Sequence, residues 1–288
     1  MSRIELDFDE QTYHAMPGLS GSGVKKLLDC PADFKRPVNV TEAMRIGTAF
    51  HARVLGSTME VEVSGKWATG SGAAAKTWAL DCDERGVIPV IEAWIPKLDA
   101  MEAALKANTR AARLMYGLPG TNEASLFSEW DGVTVRGRAD RIVDWPDGGI
   151  AVADLKTTAD PARADYEKAI FERGYDAQVV MYERLACEAM GRRASQTPFI
   201  VAVGTAEPHR VVVYQLSDTD AEYASAMVDR AVALYEACTA RNEWPDWDAD
   251  ALVVPRAPVW VERQRERTQD AATAWVDATT NTGMEATA

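Results

Sequence analysis

The chain has 288 residues, of which 47% are hydrophobic and 26% are charged. This length and composition allow one large α/β domain or two small ones, and they exclude wholesale disorder. No segment approaches the roughly 18 consecutive apolar residues of a membrane helix. The N-terminal sequence MSRIELDFDE is acidic, whereas a signal peptide begins basic and continues apolar. We therefore expect a soluble, cytoplasmic protein without a membrane partner.

The charge is strongly acidic overall but unevenly distributed. With 31 basic and 44 acidic residues, the net charge is −13, which argues against a protein that coats nucleic acid non-specifically. The segment Lys25–Arg53 has six basic and three acidic side chains, a local charge of +3, whereas residues 215–288 have six basic and fourteen acidic ones, a local −8. A local anion-binding face is therefore compatible with the acidic total.

The four cysteines do not suggest a metal cluster. They lie at positions 30, 82, 187 and 238, without a CxxC pair or an accompanying pair of closely spaced histidines. This spacing disfavours structural zinc and iron–sulfur clusters. We expect buried free thiols.

The first half of the chain has mainly helical patterns. The predicted elements, in order, are a turn at Met16–Gly18, a short helix that begins at Ser20 or Ser22 and ends at Cys30-Pro31, a helix over Thr41–Leu55 that stops at Gly56, a mobile Gly/Ala/Ser-rich loop over Gly65–Gly86, and a long helix over Ile91–Tyr116.

From Glu123 the hydrophobic period changes from 3.6 to 2, which indicates strands. Asp131-Gly132 is a good hairpin turn signal. The predicted elements are strands over Ala124–Trp130, Val133–Val143 and Ile150–Lys156, a helix over Pro161–Met190, strands over Phe199–Gly204 and Arg210–Leu216, and a helix over Asp218–Arg241. This order predicts a mixed α/β sheet flanked by helices.

We divide the chain into four parts. Residues 1–60 form an N-terminal helical part, 61–90 a flexible insertion, 91–245 the α/β core, and 246–288 a C-terminal strap and tail. The tail after Pro255 is polar, and we expect disorder from about Thr268.

Charged residues on two neighbouring strands are the most informative feature of the sequence. Strand alternation places Arg136, Arg138 and Asp140 on one face of their strand, and Asp154 and Lys156 on one face of the next. Acidic residues are rare inside strands, so this pattern needs a reason.

One reason is ion pairing at a sheet edge, of either aspartate with Arg138 or Lys156. The other is a site for Mg²⁺, which prefers oxygen ligands and promotes phosphodiester hydrolysis as a Lewis acid and activator of water. Lys156 would then orient the water or neutralise charge on the phosphorane.

Four motifs support the second reason. Asp140 with the later Asp154-Leu155-Lys156 resembles the PD-(D/E)XK nuclease signature. Gly47–His51 is similar to the GxxxH motif of the RecB-like branch of these nucleases, and Gln178–Tyr182 to its QxxxY motif. Glu123 matches a glutamate that precedes the conserved hairpin.

The N-terminal segment is the most particular match. Tyr13–Lys25, continued by Cys30–Phe34, resembles the opening of the RecE-type (exonuclease VIII) C-terminal nuclease domain, and the resemblance spans about residues 13–240. Two positions depart from the motif, since Arg138-Ala139 replaces the proline-containing approach and Asp154 stands in place of Glu.

The resemblance implies a restriction-endonuclease-like core with an N-terminal helical extension, and a role for each motif residue. Asp140, Asp154 and the Leu155 carbonyl would bind Mg²⁺, for which Mn²⁺ would substitute. His51 and Glu123 would also face the metal, Lys156 would be the catalytic lysine, and Gln178 and Tyr182 would hold the substrate. Two alternatives stay open: Glu129 could take the place of Glu123, and Gln178 with Tyr182 could be a packing pair on one helix face.

The resemblance also implies substrate and partners. Such enzymes resect linear duplex DNA from 5′ ends, leave 3′ single strands, work with a RecT-like single-strand annealing protein, form trimeric or tetrameric rings, and are encoded by phages or prophages of bacterial hosts. The alternatives are a single-strand-specific or endonucleolytic RecB-like nuclease, and a catalytically silent DNA-end-binding phage protein.

Two further expectations concern binding surfaces. The candidate DNA-binding residues are Ser20, Ser22, Lys25, Arg136 and Arg138, with a 5′-phosphate pocket at the helix N-terminus near the two serines. The segment Trp244–Trp247 is either a strap across the core or a docking element.

Overall fold

The computed structural model describes residues 2–57, 59–247, 249–250, 252 and 254–284, and the side chains at 163–164 and 276–284 lie outside the description. The chain forms two compact units, Met1–Asp246 and Trp247–Ala288. Helix α11, which lies in the second unit, spans Val259–Met284. All other elements belong to the first.

The first unit contains strands and helices in alternation. The strands are β1 (Arg3–Glu5), β2 (Leu19–Ser20), β3 (Val61–Ser64), β4 (Ile88–Ile91), β5 (Gly120–Trp130), β6 (Val133–Asp144), β7 (Ile150–Thr158), β8 (Phe199–Gly204) and β9 (Val211–Gln215). The helices are α1 (Glu10–Ala15), α2 (Gly21–Asp29), α3 (Pro31–Phe34), α4 (Glu42–Leu55), α5 (Ala73–Glu84), α6 (Ile95–Ala107), α7 (Thr109–Ala112), α8 (Arg163–Glu172), α9 (Tyr175–Met190) and α10 (Asp218–Arg241). A 3₁₀ turn, Glu92–Trp94, precedes α6, and a π turn, Arg113–Gly117, follows α7.

Seven of the described strands form one mixed sheet in the order β1-β5-β6-β7-β8-β9, with β2 alongside β6. The hairpin β5–β6 turns at Asp131-Gly132, where both residues have positive φ (48° and 78°), as a type I′ turn requires. Strand β8 runs parallel to β7, and helices α8 and α9 make the crossover between them. The expected mixed α/β sheet is confirmed.

Helices cover both faces of this sheet. On one face, α4 and α6 pack on β7 and β8 through Phe50, Met101 and Leu155. On the other face, α2, α9 and α10 pack on β5 and β6, with Leu126 and Met181 fully buried. Alternation along β7 sends Leu155 to the first face, and therefore sends Asp154 and Lys156 to the other.

The predicted helix over Thr41–Leu55 is confirmed. Thr41 is the N-cap, and its Oγ1 accepts a hydrogen bond from Met44 N at 3.2 Å. Gly56 ends the helix in the left-handed conformation (φ 76°). For α2, Ser20 and not Ser22 is the N-cap residue, although its hydroxyl makes no capping hydrogen bond.

Residues 65–86 were predicted to be a loop, which is wrong for half of the segment. Helix α5 occupies Ala73–Glu84 and buries Ala75, Ala79 and Cys82 on one face. Because that face consists of small residues, its helical period is faint in the sequence, although alanine has the highest helix propensity. The flanking strands β3 and β4 pair in parallel as a small second sheet.

The two long predicted helices are each broken. Asn108 separates α6 from α7, because its backbone is extended and its Oδ1 accepts from Ala111 N at 3.0 Å, which caps a new helix. Gly174, with φ 68°, separates α8 from α9. A side chain at Gly174 would place its Cβ 2.4 Å from Lys25 Cβ.

The C-terminal tail was predicted to be disordered from Thr268, and this is wrong for the described residues, since α11 continues to Met284. The segment is rich in Glu, Arg, Gln and Ala, which favour helices. None of the described helices is long and apolar enough to cross a membrane. All four cysteines are free, Cys82 and Cys238 being buried and the other two half-buried.

Near the end of the first unit, Trp244 and Pro245 pack on helix α3. The Trp244 indole stacks on Phe34 at 5.5 Å, with an interplanar angle of 6°, and the Pro245 carbonyl accepts from Ala32 N at 3.1 Å. This contact agrees with the strap alternative for Trp244–Trp247.

Candidate active site

The central sheet opens where the predicted acidic residues lie. The antiparallel β6–β7 ladder ends at the pair Arg141–Ala153, and the next residue on each strand is Asp140 and Asp154. Further along, β2 pairs with β6 at Arg136. One edge of β6 is paired with β5 along its length. Strand β2 therefore pairs with the same edge of β6 as β7, but beyond the point where the β6–β7 pairing ends. The two aspartates therefore flank a gap between diverging strands.

A third acid extends this row. In the β5–β6 ladder, Glu123 lies opposite Asp140, between the pairs Asn122–Arg141 and Ala124–Ala139. The order across the sheet is thus Glu123, Asp140, Asp154. Glu123 has φ 46° inside a strand, a strained conformation that is typical of functional positions. Burial, and then the Asp140 charge, raise the pKa of Glu123.

The alternative acid, Glu129, is far from this row. It is exposed and pairs with Thr134 near the hairpin turn. Six residues of strand separate it from Glu123, which corresponds to about 20 Å. The structure thus places Glu123, and not Glu129, beside the aspartates.

Asp154 and Lys156 form the most buried charged pair of the site. Asp154 is 1% exposed, and its Oδ2 lies 2.5 Å from Lys156 Nζ. The other carboxylate oxygen of Asp154, Oδ1, is buried and has no hydrogen-bond partner among the described residues. Burial raises the pKa of Asp154 to about 6. Burial also acts to lower the pKa of Lys156, but the two aspartates outweigh it and raise the pKa.

The other aspartate is fixed by the backbone. Asp140 Oδ2 accepts a hydrogen bond from Leu155 N at 2.7 Å. Burial raises the pKa of this carboxyl, against the opposing effects of Lys156 and of that hydrogen bond. The ion pair proposed as a purely structural explanation thus exists for Asp154, whereas Asp140 has no lysine or arginine within salt-bridge distance in the described part of the chain.

Helix α4 brings His51 to the aspartates. Its Nδ1 lies 3.6 Å from Asp140 Oδ2, which is longer than a hydrogen bond. Burial, followed by the Lys156 charge, lowers the pKa of His51 to about 4, so the imidazole is neutral near pH 7 and can act as a ligand. The helix approaches β7 closely at Gly47, where a Cβ would lie 2.8 Å from Thr157 Oγ1.

Gln178 and Tyr182 lie on α9 and bond to each other, Gln178 Nε2 donating to Tyr182 Oη at 2.8 Å. Tyr182 is buried in a slot between two glycines. A Cβ at either Gly21 or Gly137 would lie 2.6 Å from a carbon of its ring. The glycines therefore let this ring reach the site.

A cleft of about 270 Å³ is lined by part of this site, but not by Asp154, Lys156 or Gln178. Its residues include His51, Glu123, Asp140, Tyr182, Ser20, Ser22, Arg136, Arg138, Tyr13 and Glu10. Of the candidate DNA-binding residues, four line it. Lys25 does not, because its ammonium pairs with Asp29 one helical turn away.

The sequence matches one family model, the PDDEXK-like domain of unknown function (DUF3799), over residues 20–251. The chain belongs to this PDDEXK-like family. The resemblance stated from the motifs is thereby confirmed at the level of the superfamily. No curated protein matches the sequence.

Comparison with solved structures finds a similar fold. A protein from Eubacterium rectale described as a "putative exonuclease" superposes with a TM-score of 0.58 at 13% identity, over 88% of this chain and 97% of its own. A phage-related exonuclease from Haemophilus somnus matches at a TM-score of 0.35 and 13% identity, over 81% of this chain and 100% of its own. The first of these likenesses shows a shared fold.

The donor set of this PDDEXK-like chain fits a hard divalent cation. Within the described ranges, no group of three or more His, Cys, Asp or Glu side chains lies close enough together to hold a metal ion. Mg²⁺ does not need one, because it retains several waters and takes one or two carboxylates. Asp154 supplies one buried oxygen, Oδ1, that lacks a hydrogen-bond partner among the described residues and that a cation would satisfy. Asp140 occupies the corresponding position on the neighbouring strand.

Two aromatic residues of the site were not predicted. Tyr175, the first residue of α9, has its ring centroid 5.0 Å from Lys156 Nζ. Tyr13, on α1, contacts Arg136 and Arg138. Tyr13 lies within the motif that resembles the RecE-type opening, but nothing in the local sequence pairs it with arginines more than 120 positions away.

Proposed function

We propose that this PDDEXK-like protein is a Mg²⁺-dependent exonuclease that degrades linear double-stranded DNA from its 5′ ends and leaves 3′ single strands. The observation that carries this proposal is the row Glu123, Asp140, Asp154 at the opening of the sheet, with Lys156 on the same strand face as Asp154. A silent binding protein would gain nothing from a buried Asp154 beside the half-buried Asp140, because such carboxylates destabilise the fold when they lack a cation.

Each residue of the site would have a distinct role in hydrolysis. Asp140, Asp154 and the Leu155 carbonyl would hold Mg²⁺, which when bound supplies Lewis acidity toward the scissile phosphate and lowers the pKa of a water. Lys156 would donate hydrogen bonds to the attacking water or to the charge that develops on phosphorus. Neutral His51 and Glu123 would orient the remaining waters.

The cleft favours a strand end over an intact duplex. A cleft of about 270 Å³ is at the lower limit of ligand pockets. It is therefore better suited to a single strand end than to a duplex. Ser20 and Ser22 lie in this cleft at the N-terminus of α2, with Arg136 beside Ser20 in the β2–β6 ladder. These groups suit a terminal 5′-phosphate.

The test is digestion of a linear duplex labelled at its 5′ or its 3′ end, with Mg²⁺ or EDTA. The wild type should release the 5′ label at once as mononucleotides, only with Mg²⁺. Lys156→Ala should lose activity by three orders of magnitude or more, as removal of preorganised electrostatic groups does. Lys168→Ala, which removes an exposed lysine paired with Glu172, is the matched control and should remain active.

Other products would change the proposal in defined ways. Release of the 3′ label, or internal cuts, would indicate another activity of the RecB-like branch. Cleavage of single strands alone would indicate the single-strand-specific alternative. Absence of cleavage with Mg²⁺ and with Mn²⁺, in protein shown to be folded, would favour a DNA-end-binding protein.

Ring assembly and a partner complete the proposal. We expect a trimer or tetramer that encloses DNA, and a complex with a RecT-like annealing protein. Light scattering should then give three or four times the chain mass of 31.5 kDa. A monomer at micromolar concentration would contradict the ring.

A further inference from the structure

The N-terminal segment lies along the candidate active-site cleft. Strand β1 pairs antiparallel with β5, with Ile4 opposite Leu126. The Phe8 ring packs edge-on against Phe127 at 5.2 Å, and Tyr13 is 5% exposed. The segment is therefore fixed to the sheet on the strand next to β6, which carries the two cleft arginines.

Tyr13 contacts both arginines with one ring. The guanidinium carbons of Arg136 and Arg138 each lie 4.8 Å from the centroid of the Tyr13 ring. Arg136 Nη1 donates to the Tyr13 carbonyl at 2.9 Å, and Arg138 Nη2 donates to the Phe8 carbonyl at 2.8 Å. Cation–π contact and carbonyl acceptors together fix the direction of each guanidinium.

The two arginines need such support. They stand two residues apart on one strand face, so their charges repel each other at a separation of about 7 Å. Arg136 is 9% exposed, and its Nε has no hydrogen-bond partner among the described residues. Arg138 Nη1 lies 3.6 Å from Glu10 Oε2, beyond hydrogen-bond distance. Both arginines line a cleft shared with Ser20 and Asp140, where Arg138 Nη1 retains donor capacity.

We propose that Tyr13 is a positioning residue, which holds the guanidinium groups of Arg136 and Arg138 where they bind the phosphates of a DNA strand in the cleft. This inference rests on the proposed function, because it takes a phosphodiester as the ligand. Tyr13 acts through the arginines and does not touch the reacting atoms.

The test is the affinity for a 5′-phosphorylated duplex with EDTA present, measured by fluorescence anisotropy at several salt concentrations. Tyr13→Leu should weaken binding at least tenfold and lower the slope of log K against log salt by one to two, since each lost phosphate contact lowers it by about 0.9. Tyr13→Phe keeps the ring and should bind within about threefold of wild type. Tyr223→Leu, which removes an exposed tyrosine near Arg230, should bind like wild type.

A double-mutant cycle separates positioning from folding. In the background of Arg136→Gln with Arg138→Gln, Tyr13→Leu should cause no further loss of affinity, because its effect passes through the arginines. An equal further loss there would overturn the inference. So would Tyr13→Leu with wild-type affinity and salt slope.

Two further outcomes are defined. If Tyr13→Leu does not fold, NMR follows the arginine Nε–H signals of the folded wild type. The signals of Arg136 and Arg138 should shift when duplex is added, and the absence of a shift in both would overturn the inference. A wild type that neither binds nor cuts DNA would overturn the proposed function too, whereas a wild type that cuts DNA beside a normal Tyr13→Leu variant would overturn the positioning role alone.

Discussion

Asp140 and Asp154 lie on central strands of the sheet. Their carboxylates are removed from solvent to different degrees, which lowers the free energy of unfolding of the protein. Asp154 is almost fully buried, its Oδ2 pairs with a single lysine, and its Oδ1 accepts no hydrogen bond among the described residues. A buried carboxylate in this state costs several kcal/mol when not fully compensated. A bound cation would remove most of that cost, so metal binding and stability should be coupled at these residues.

The coupling can be measured as a thermal shift. Mg²⁺ at a concentration of 100 times its Kd should stabilise the wild type by about 2.7 kcal/mol relative to EDTA, which raises Tm by several degrees in a chain of this size. Asp154→Asn and Asp140→Asn should lose the shift, because an amide does not replace an anionic ligand. Asp229→Asn, which changes an exposed carboxylate beside Arg184, should keep it. A full shift in Asp154→Asn would place the metal elsewhere.

Glu183, on α9, gives a pH-dependent prediction away from the metal site. Its Oε1 is buried without a partner in the described structure, and burial raises its pKa to about 7. Because the unfolded pKa is near 4.5, the protein should lose stability as the pH rises from about 4.5 through 7, and then level off. Glu183→Gln should therefore be more stable than wild type at pH 8.5, by the order of 1–3 kcal/mol.

Urea denaturation at pH 5 and pH 8.5 measures this difference. The advantage of Glu183→Gln should shrink at pH 5, where the wild-type carboxyl is protonated in the folded state. Glu222→Gln, at an exposed position on α10, should show no such change with pH. Equal stabilities of Glu183→Gln and wild type at pH 8.5 would mean that the carboxylate finds water or a cation.

At the scale of single residues, the sequence predicted which side chains belong to the site, but not which distant residues contact them. Asp140, Asp154 and Lys156 were predicted because strand alternation is local and acids in strands are rare. Contacts such as Tyr13 with Arg136 join distant parts of the chain, and no local pattern encodes them. The choice of Glu123 over Glu129 likewise depends on which residue faces Asp140 in the ladder.

At the scale of elements, the position of α4 determines where His51 lies. The helix packs on the sheet with Phe50 fully buried, and it approaches β7 where Gly47 faces Thr157. A glycine inside a helix costs up to about 1 kcal/mol relative to alanine. Here the loss is offset by close packing of helix and strand, which brings His51 within 3.6 Å of Asp140.

Gly47→Ala should move this helix. Its Cβ would stand 2.8 Å from Thr157 Oγ1, so we expect a loss of 1–3 kcal/mol in unfolding free energy and at least a tenfold loss of nuclease activity through displacement of His51. Thr157→Ala removes the opposing oxygen and should restore most of both in the double variant. Gly72→Ala, where a Cβ would meet nothing within 4 Å, is the control. No rescue by Thr157→Ala would show that the loss has another cause.

The strength of the hydrophobic signal decided which elements could be predicted from the sequence. The hairpin β5–β6 and helix α4 have clear periods and end signals, and they form as expected. Helix α5 was missed because its buried face is Ala75, Ala79 and Cys82. The breaks at Asn108 and Gly174 were missed because each helix resumes at once, so the apolar pattern continues across them.

At the scale of the whole molecule, the charge distribution limits how DNA can approach. A cavity of about 640 Å³ adjoins the cleft at Glu10, Glu123 and Arg138. Its wall includes the further acids Asp7, Asp9 and Glu60. Because this cavity repels phosphate, a strand should enter from the side of Ser20 and Arg136. Because the net charge of the chain is −13, attraction for DNA must come from a few cationic side chains near the cleft. That attraction decays within a Debye length, which is about 8 Å at physiological salt.

The unit Met1–Asp246 contains the sheet, both helical layers and every candidate site residue, and it ends with the strap that contains Trp244. Trp244 stacks on Phe34, packs edge-on against Tyr235 at 5.7 Å, and lies 4.3 Å beneath Lys35 Nζ.

A chain that stops after Asp246 should therefore keep the Tm and the nuclease activity of the full protein. A chain that stops after Arg241 should be less stable by about 2–3 kcal/mol, because it loses a large aromatic contact. Urea denaturation and the end-labelled digestion applied to both truncations measure this. Equal stability of the two would mean that the strap does not stabilise the core, and loss of activity in the longer one would mean that residues 247–288 take part in the reaction.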